Sequence, residues 1–264
     1  ILIFCSDGLS AIEKGLMLWI TKQFNIPSMI FPRAGHLIEQ VNKSKTFHFI
    51  IKYLFNYSSV FLSQGKDWSK FAENKLSIKS QAIVEISNWT ATKDLIEIGE
   101  KRLIKQKGTL NILFVGWLEK EKGVIEILKS LAQLNEENYR FKMYFIGDGS
   151  LMNYAQTFIH KNNLEEIVFL KGWKDLEELK EFYNLCDIFV LPSWKEGMPN
   201  SLIEALASGL PSIVSNVGVI SNYLEHNFDT FFIEPKNQSD LSTAIKKMIT
   251  EINLRKKISK NSLM

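Results

Sequence analysis

Residues 196–204 read Glu-Gly-Met-Pro-Asn-Ser-Leu-Ile-Glu, and how this stretch joins a strand to a helix decides the fold. It follows the apolar run Ile188-Phe189-Val190-Leu191 and Pro192, which has the length and composition of a buried strand. Gly197 permits a tight turn, and Pro199 suits the first position of a helix over 199–208, where a missing N–H costs nothing. The free amides that open such a helix, near Asn200 and Ser201, attract an anion. Glu196 in the loop and Glu204 one turn into the helix are poorly placed to bind that anion themselves. They are suited to accept hydroxyl protons on either side of it.

The same strand–loop–helix rhythm extends in both directions. After this point come a strand at 211–214, a short helix at 219–225, a strand at 230–233 and a closing helix at 239–257. Before it lie strands at 111–115, 141–146, 167–170 and 188–191, separated by helices at 124–134, 151–161 and 176–185. Six strands alternating with helices predict a doubly wound parallel sheet with right-handed crossovers. Residues 1–107 repeat the pattern, with strands at 1–5, 28–31, 60–63 and 82–86. Helices are expected there at 9–24, 36–55 and 68–74. Leu9, Ile12, Leu16, Trp19, Ile20 and Phe24 share one face of the first helix. Residues 87–108 are polar, end in Lys101, Arg102, Lys105, Lys107 and Gly108, and read as the crossing between domains 1–107 and 108–264.

Composition fits two packed α/β domains. The chain has 264 residues, 45% of them hydrophobic, and no uncharged apolar run of membrane-spanning length. It opens directly on an apolar strand and stops in or just after a helix, which suggests a fragment. The formal charge of +3 is uneven, +6 over residues 1–110 and −3 over the remainder. The basic half is suited to an anionic surface or acceptor. Cys5 and Cys186 form no framework, and His36, His48, His160 and His226 have no metal-ligand spacing, so no metal site is expected.

Ligands of doubly wound sheets bind beyond the carboxyl ends of the strands. That rule selects the loops at 116–123, 147–150, 172–175, 192–200 and 215–221. Gly116 ends the first strand of the second half, and Lys122, before Gly123, can place an ammonium over a bound phosphate. Gly147 and Gly149 allow close backbone approach, and Gly218 can bring further amides to the same anion. Asp187 is read as a cap. Trp173 and Trp194 are positioned either to stack on a base or to pack at the rim. Walker, nucleophile-elbow and Gly-x-Gly-x-x-Gly patterns are absent, and any chemistry would rest on positioning and on stabilising a leaving diphosphate.

Together the segments FVGWLEKEKG (114–123), FIGDGS (145–150), VFLKGW (168–173), CDIFVLPSWKEGMPNSLIEALASGLPSIVSNVG (186–218) and TFFIEP (230–235) resemble the retaining glycosyltransferases of family 4. PSMIFPRAG (27–35) and IVEISNWTAT (83–92) resemble that family more weakly. The resemblance implies a GT-B fold of two Rossmann-like domains facing across a crevice, the first incomplete. It implies transfer of a hexosyl group from a UDP- or GDP-sugar to a glycan or lipid-linked acceptor. Configuration would be retained, and neither a metal nor any other cofactor is needed. The setting would be surface polysaccharide or lipopolysaccharide synthesis, in the cytoplasm or peripheral on the inner membrane face, with no nucleic-acid partner.

By position, Glu196 would bind the donor sugar, Glu204 the ribose and Lys122 the diphosphate. Gly116, Gly197, Met198, Pro199, Asn200 and Ser201 would line the donor site. The pattern departs from the family at Trp117, where an Arg is usual, and at Asn222, often acidic. The glycine-rich loop of the first domain is also absent. Lys120, Lys174 or Lys195 could assist Lys122, and Arg33 is as plausible a crevice residue as His36. The alternative readings are a non-catalytic nucleotide-sugar-binding protein and a sugar-nucleotide epimerase of the same architecture.

Overall fold

A computed structural model describes residues 1–34, 36–86, 90–104 and 108–264. Ser87, Asn88 and Trp89 of the segment resembling the family's domain exit lie outside the described residues, as do Gly35, Gln106 and the crossing lysines Lys105 and Lys107. The chain divides into two compact units, Ile1–Asn88 and Trp89–Met264.

The first unit is built on a parallel sheet in the order β1 (Leu2–Cys5), β2 (Met29–Pro32), β3 (Val60–Ser63) and β4 (Ile83–Glu85). Its helices are α1 (Gly8–Gln23), α2 (His36–Lys43), α3 (Lys45–Phe55) and α4 (Lys66–Asn74). The single helix expected over 36–55 is broken at Ser44, whose extended backbone and side chain cap α3 by accepting from the Phe47 amide at 3.2 Å. The buried side of α1 is not its large apolar face. Ala11, Gly15, Leu18 and Thr21 are buried, while Leu9 (84%) and Phe24 (72%) are among its most exposed residues. The reason is close approach: a Cβ added at Gly15 would lie 2.7 Å from Leu54 Cβ on α3. Small residues let the two helices meet there, and the large ones are turned outward.

The second unit is a six-stranded parallel sheet over β5 (Leu110–Val115), β6 (Phe141–Ile146), β7 (Val168–Leu170), β8 (Ile188–Leu191), β9 (Ser212–Ser215) and β10 (Phe231–Ile233). The spatial order is β10-β9-β8-β5-β6-β7. Chain direction across the sheet reverses beside β5, which pairs with β6 on one side and β8 on the other. That is the doubly wound order, and its switch point lies between β5 and β8. Every residue of β8 and β9 is buried, as expected for interior strands covered on both faces.

Helices α6 (Val124–Glu136), α7 (Met152–Lys161), α8 (Leu176–Leu185), α9 (Asn200–Ala207), α10 (Gln238–Thr250) and α11 (Ile252–Asn261) cover the sheet. The long closing helix expected over 239–257 is two helices, parted at Glu251, which leaves helical geometry at ψ 85°. The short helix expected over 219–225 is a single tight turn at Ile220–Asn222.

The compact units do not follow the expected boundary at 107/108. The polar crossing contains a helix, α5 (Lys93–Glu100), that belongs with the second unit. The cause is backbone contact: a Cβ at Gly99 would lie 2.6 Å from the Ala207 carbonyl at the end of α9. Arg102, just past α5, donates to the carbonyls of Ser208 at 2.6 Å, Cys186 at 2.8 Å and Tyr183. A cation at two helix C-termini is favourable, and burial lowers the Arg102 pKa to about 10.

Candidate functional site

The strand order puts the loops after β5 and β8 side by side, and these carry Lys122 and Glu196. Lys122 ends a tight turn, Lys120–Lys122, closed by Gly123 in the left-handed region at φ 72°. Gly123 is required for close approach too, since a Cβ there would lie 2.3 Å from the Pro192 carbonyl. The β5 loop is thereby pressed onto the β8 loop. Trp194 N–H donates across the same junction to the Glu121 carbonyl at 2.7 Å. Lys122 Nζ donates to Glu196 Oε1 at 2.6 Å, and the Glu196 side chain is nearly buried. The two residues singled out in the sequence, 74 positions apart, form one ion pair at the switch point.

Pro199 does not occupy the first helical position. Its ψ of 131° is extended, and its carbonyl accepts from the Leu202 and Ile203 amides, so it is the N-cap and Asn200 begins α9. The amides of Asn200 and Ser201 come before that ladder, as the anion argument needs. Gly197 and Glu196 lie under the β9 loop: a Cβ on Gly218 would fall 1.9 Å from the Glu196 carbonyl oxygen and 3.1 Å from that of Gly197. Met198 packs half-buried against the core.

Glu204, on the first turns of α9, is only 8% exposed. Its Oε2 accepts from the Tyr183 hydroxyl at 2.8 Å, and Thr90 also hydrogen-bonds to the carboxylate. Burial pushes its pKa above the ordinary 4.5, while the Tyr183 and Thr90 hydrogen bonds pull it back down. The Asn200 carbonyl lies 3.3 Å from Thr90 Oγ1 and shares that single hydroxyl proton with the carboxylate. Neither Tyr183 nor Thr90 was singled out from sequence. Tyr183 reads there as one more apolar residue of α8, and Thr90 as part of a polar crossing.

Gly116 belongs to a neighbouring cavity of about 180 Å³ beyond the ends of β5 and β6. Trp117 and Trp173, 62% and 70% exposed, stand at this cavity with Asp148, Lys174 and Leu179. A cavity with two exposed indoles is suited to a flat ring. Trp194 is not available in the same way. Its Nε1 donates to Glu126 Oε1 at 3.2 Å, and the ammonium groups of Lys236 and Lys120 lie 4.6 and 5.5 Å from its ring centroid. Lys120 is thus engaged at Trp194, and Lys174 donates to Glu178 at 2.6 Å.

Asp187 is structural, as expected: its Oδ2 accepts from the Asn111 amide at 2.8 Å. In the first unit, Arg33 follows β2 with its guanidinium 5.0 Å from the Phe31 ring centroid, and His36 opens α2. Both cysteines are buried and unpaired by disulfide, and burial raises both thiol pKa values, that of Cys5 to about 12. Among the described residues no group of three or more His, Cys, Asp or Glu could hold a metal ion, and no helix is long and apolar enough to cross a membrane.

Comparison with known proteins shows the family. Residues 96–263 match the model of the glycosyl transferases group 1, and the chain belongs to that family. It is 30% identical over 213 residues to an uncharacterized glycosyltransferase, MJ1178, of Methanocaldococcus jannaschii, covering 80% of this chain and 56% of that one. It is 28% identical to the Escherichia coli UDP-Gal:alpha-D-GlcNAc-diphosphoundecaprenol alpha-1,3-galactosyltransferase, over 64% of this chain and 44% of that one. The chain therefore spans about half the length of these relatives. Among solved structures, Anabaena Alr3699/HepE in complex with UDP matches with a TM-score of 0.75 at 16% identity, over 99% of this chain and 72% of that one. The fold is that of GT-B glycosyltransferases, with two Rossmann-like domains, and other relatives are named for amylovoran and colanic acid biosynthesis.

Proposed function

We infer that the protein transfers a hexosyl group from a nucleoside-diphosphate sugar to a glycan or lipid-linked acceptor, with retention of configuration. The observation that carries this reading is the meeting of Lys122, Glu196 and the N-terminus of α9 beside the β5–β8 switch point. An ammonium and helix-terminal amides suit a diphosphate, and the two glutamates suit hydroxyl groups flanking it. Lys122 and the helix dipole supply charge for the leaving diphosphate, so this reading requires no metal. The cavity at Trp117 and Trp173 would take the base. Retention rests on the resemblance of residues 186–218 to retaining transferases, in which the acceptor hydroxyl attacks from the side of the leaving group.

The first unit would then be the later part of the acceptor-side domain. β1 is a sheet edge with Leu2 and Phe4 exposed, and α1 presents its large apolar side chains outward. A further strand and helix there would cover both. Action on a lipid-linked acceptor at the inner membrane face fits the basic first half of the sequence and the named substrate of the E. coli relative.

The test is turnover with UDP- and GDP-sugars on lipid and glycan extracts, read beside donor binding by calorimetry. Sugar transfer that Glu196→Ala abolishes supports the reading. A second reading, a nucleotide-sugar-binding protein without turnover, is favoured by Trp117, an indole where a phosphate-binding arginine is usual. Nucleotide-sugar binding without transfer to any of these acceptors would select it.

A further inference from the structure

Tyr183 is the one buried residue of α8, and its ring is completely enclosed. A phenylalanine would fill that space without bringing a polar atom into the core. The hydroxyl must therefore be satisfied in place, and it reaches Glu204 Oε2 at 2.8 Å and the Ser201 carbonyl at 3.3 Å. Both acceptors are on the first turns of α9. The Tyr183 backbone is held in turn, its carbonyl accepting from Arg102.

We propose that Tyr183 is a positioning residue for Glu204. Its hydroxyl fixes the carboxylate so that the remaining lone pairs face a ligand diol. A free glutamate side chain on a helix samples several rotamers; one tied through Oε2 to a rigid phenol does not. A carboxylate can accept about four hydrogen bonds, so those from Tyr183 and Thr90 still leave acceptor positions for two adjacent hydroxyls. A ribose offers such a pair and a 2′-deoxyribose does not. The inference rests on the donor-site reading of Glu204 given above. What it adds is the residue that makes Glu204 selective for ribose over deoxyribose.

The test compares UDP with dUDP, and GDP with dGDP, by calorimetry on the wild-type chain, Glu204→Ala and Tyr183→Phe. The proposal expects the wild type to prefer the ribonucleotide by about 10-fold or more. Glu204→Ala should abolish the preference. Tyr183→Phe should weaken ribonucleotide binding by about 3- to 10-fold while changing deoxyribonucleotide binding less than about 2-fold. A general loosening of the fold lowers both affinities together, so equal losses, or none, in Tyr183→Phe overturn the positioning role. A Glu204→Ala variant that keeps the full preference overturns the ribose assignment of Glu204 itself. A wild type that binds none of the four nucleotides overturns the donor-site reading. Should Tyr183→Phe fail to fold, proton NMR of the wild type decides. A downfield, slowly exchanging tyrosine hydroxyl resonance, lost in Glu204→Gln and shifted by UDP or GDP, supports the proposal; one that neither nucleotide moves overturns it.

Discussion

At the scale of single residues, the proposed donor site would separate charge from hydroxyl recognition. Glu204→Ala should weaken binding of the accepted nucleoside diphosphate by about 10- to 100-fold, because the ribose hydroxyls lose a charged acceptor. Unchanged affinity by calorimetry in a folded variant would refute the assignment. For Lys122→Ala, a contact to the diphosphate predicts a larger loss for a nucleoside diphosphate than for the monophosphate; equal losses would mark a structural lysine. Glu204 also ties stability to pH. Its folded pKa is raised above 4.5 by burial, so between 4.5 and the folded value the native state holds a proton that the unfolded chain has released. Its contribution is fully present below 4.5 and is lost as pH rises through the folded value. Glu204→Gln should flatten that part of the stability–pH profile, measured as urea midpoints across the window, and an unchanged slope would count against it.

At the scale of elements, the loops are held by close approach more than by side-chain bonds. Gly218 and Gly172 both have positive φ, 62° and 68°, but only Gly218 has a neighbour within reach of a Cβ. Gly172→Ala should therefore cost backbone strain alone, roughly 1 kcal/mol or a little more. Gly218→Ala should cost more and should also lower nucleotide affinity by displacing the Glu196 loop. Equal stability and unchanged binding in the two variants would show that the loop can yield.

The ends of α8 and β8 were legible in the sequence because both are chemically marked. Asp175 and Glu178 form a reciprocal capping box at the start of α8, and β8 is a continuous apolar run bounded by Asp187 and Pro192. The ligand-bearing loops were legible too, since strand alternation and the carboxyl-end rule suffice to find them. The buried side of α1 was not, because periodicity ranks apolar faces by size and cannot see that Gly15 admits a neighbouring helix. The tie between Tyr183 and Glu204 was hidden for a related reason. An aromatic on an apolar helix face carries no sign that its hydroxyl has a partner on α9.

At the scale of the whole molecule, the two units carry opposite electrostatic demands. The second unit is slightly acidic, and in the proposed site its positive charge is local to Lys122 and the α9 terminus, while the first unit carries ten Lys/Arg against six Asp/Glu. If that excess docks the protein on anionic lipid, adsorption to vesicles containing phosphatidylglycerol should fall steeply between low and physiological salt. Salt-insensitive adsorption would point instead to the outward apolar face of α1. The crossing that sequence composition suggests is a plain linker is instead clamped to the second unit through Gly99 and Arg102.

The ion pair between Lys122 and Glu196 balances one charge against the other within the site. If the donor-site reading holds, a diphosphate would compete for the lysine that the glutamate holds, and its arrival would exchange one partner for another and release a carboxylate toward the sugar. Occupancy by the nucleotide portion would in this way prepare the sugar subsite, and the two halves of the donor would bind with positive cooperativity. A free hexose should then bind more tightly in the presence of the matching nucleoside diphosphate than in its absence, and Lys122→Met should erase the difference.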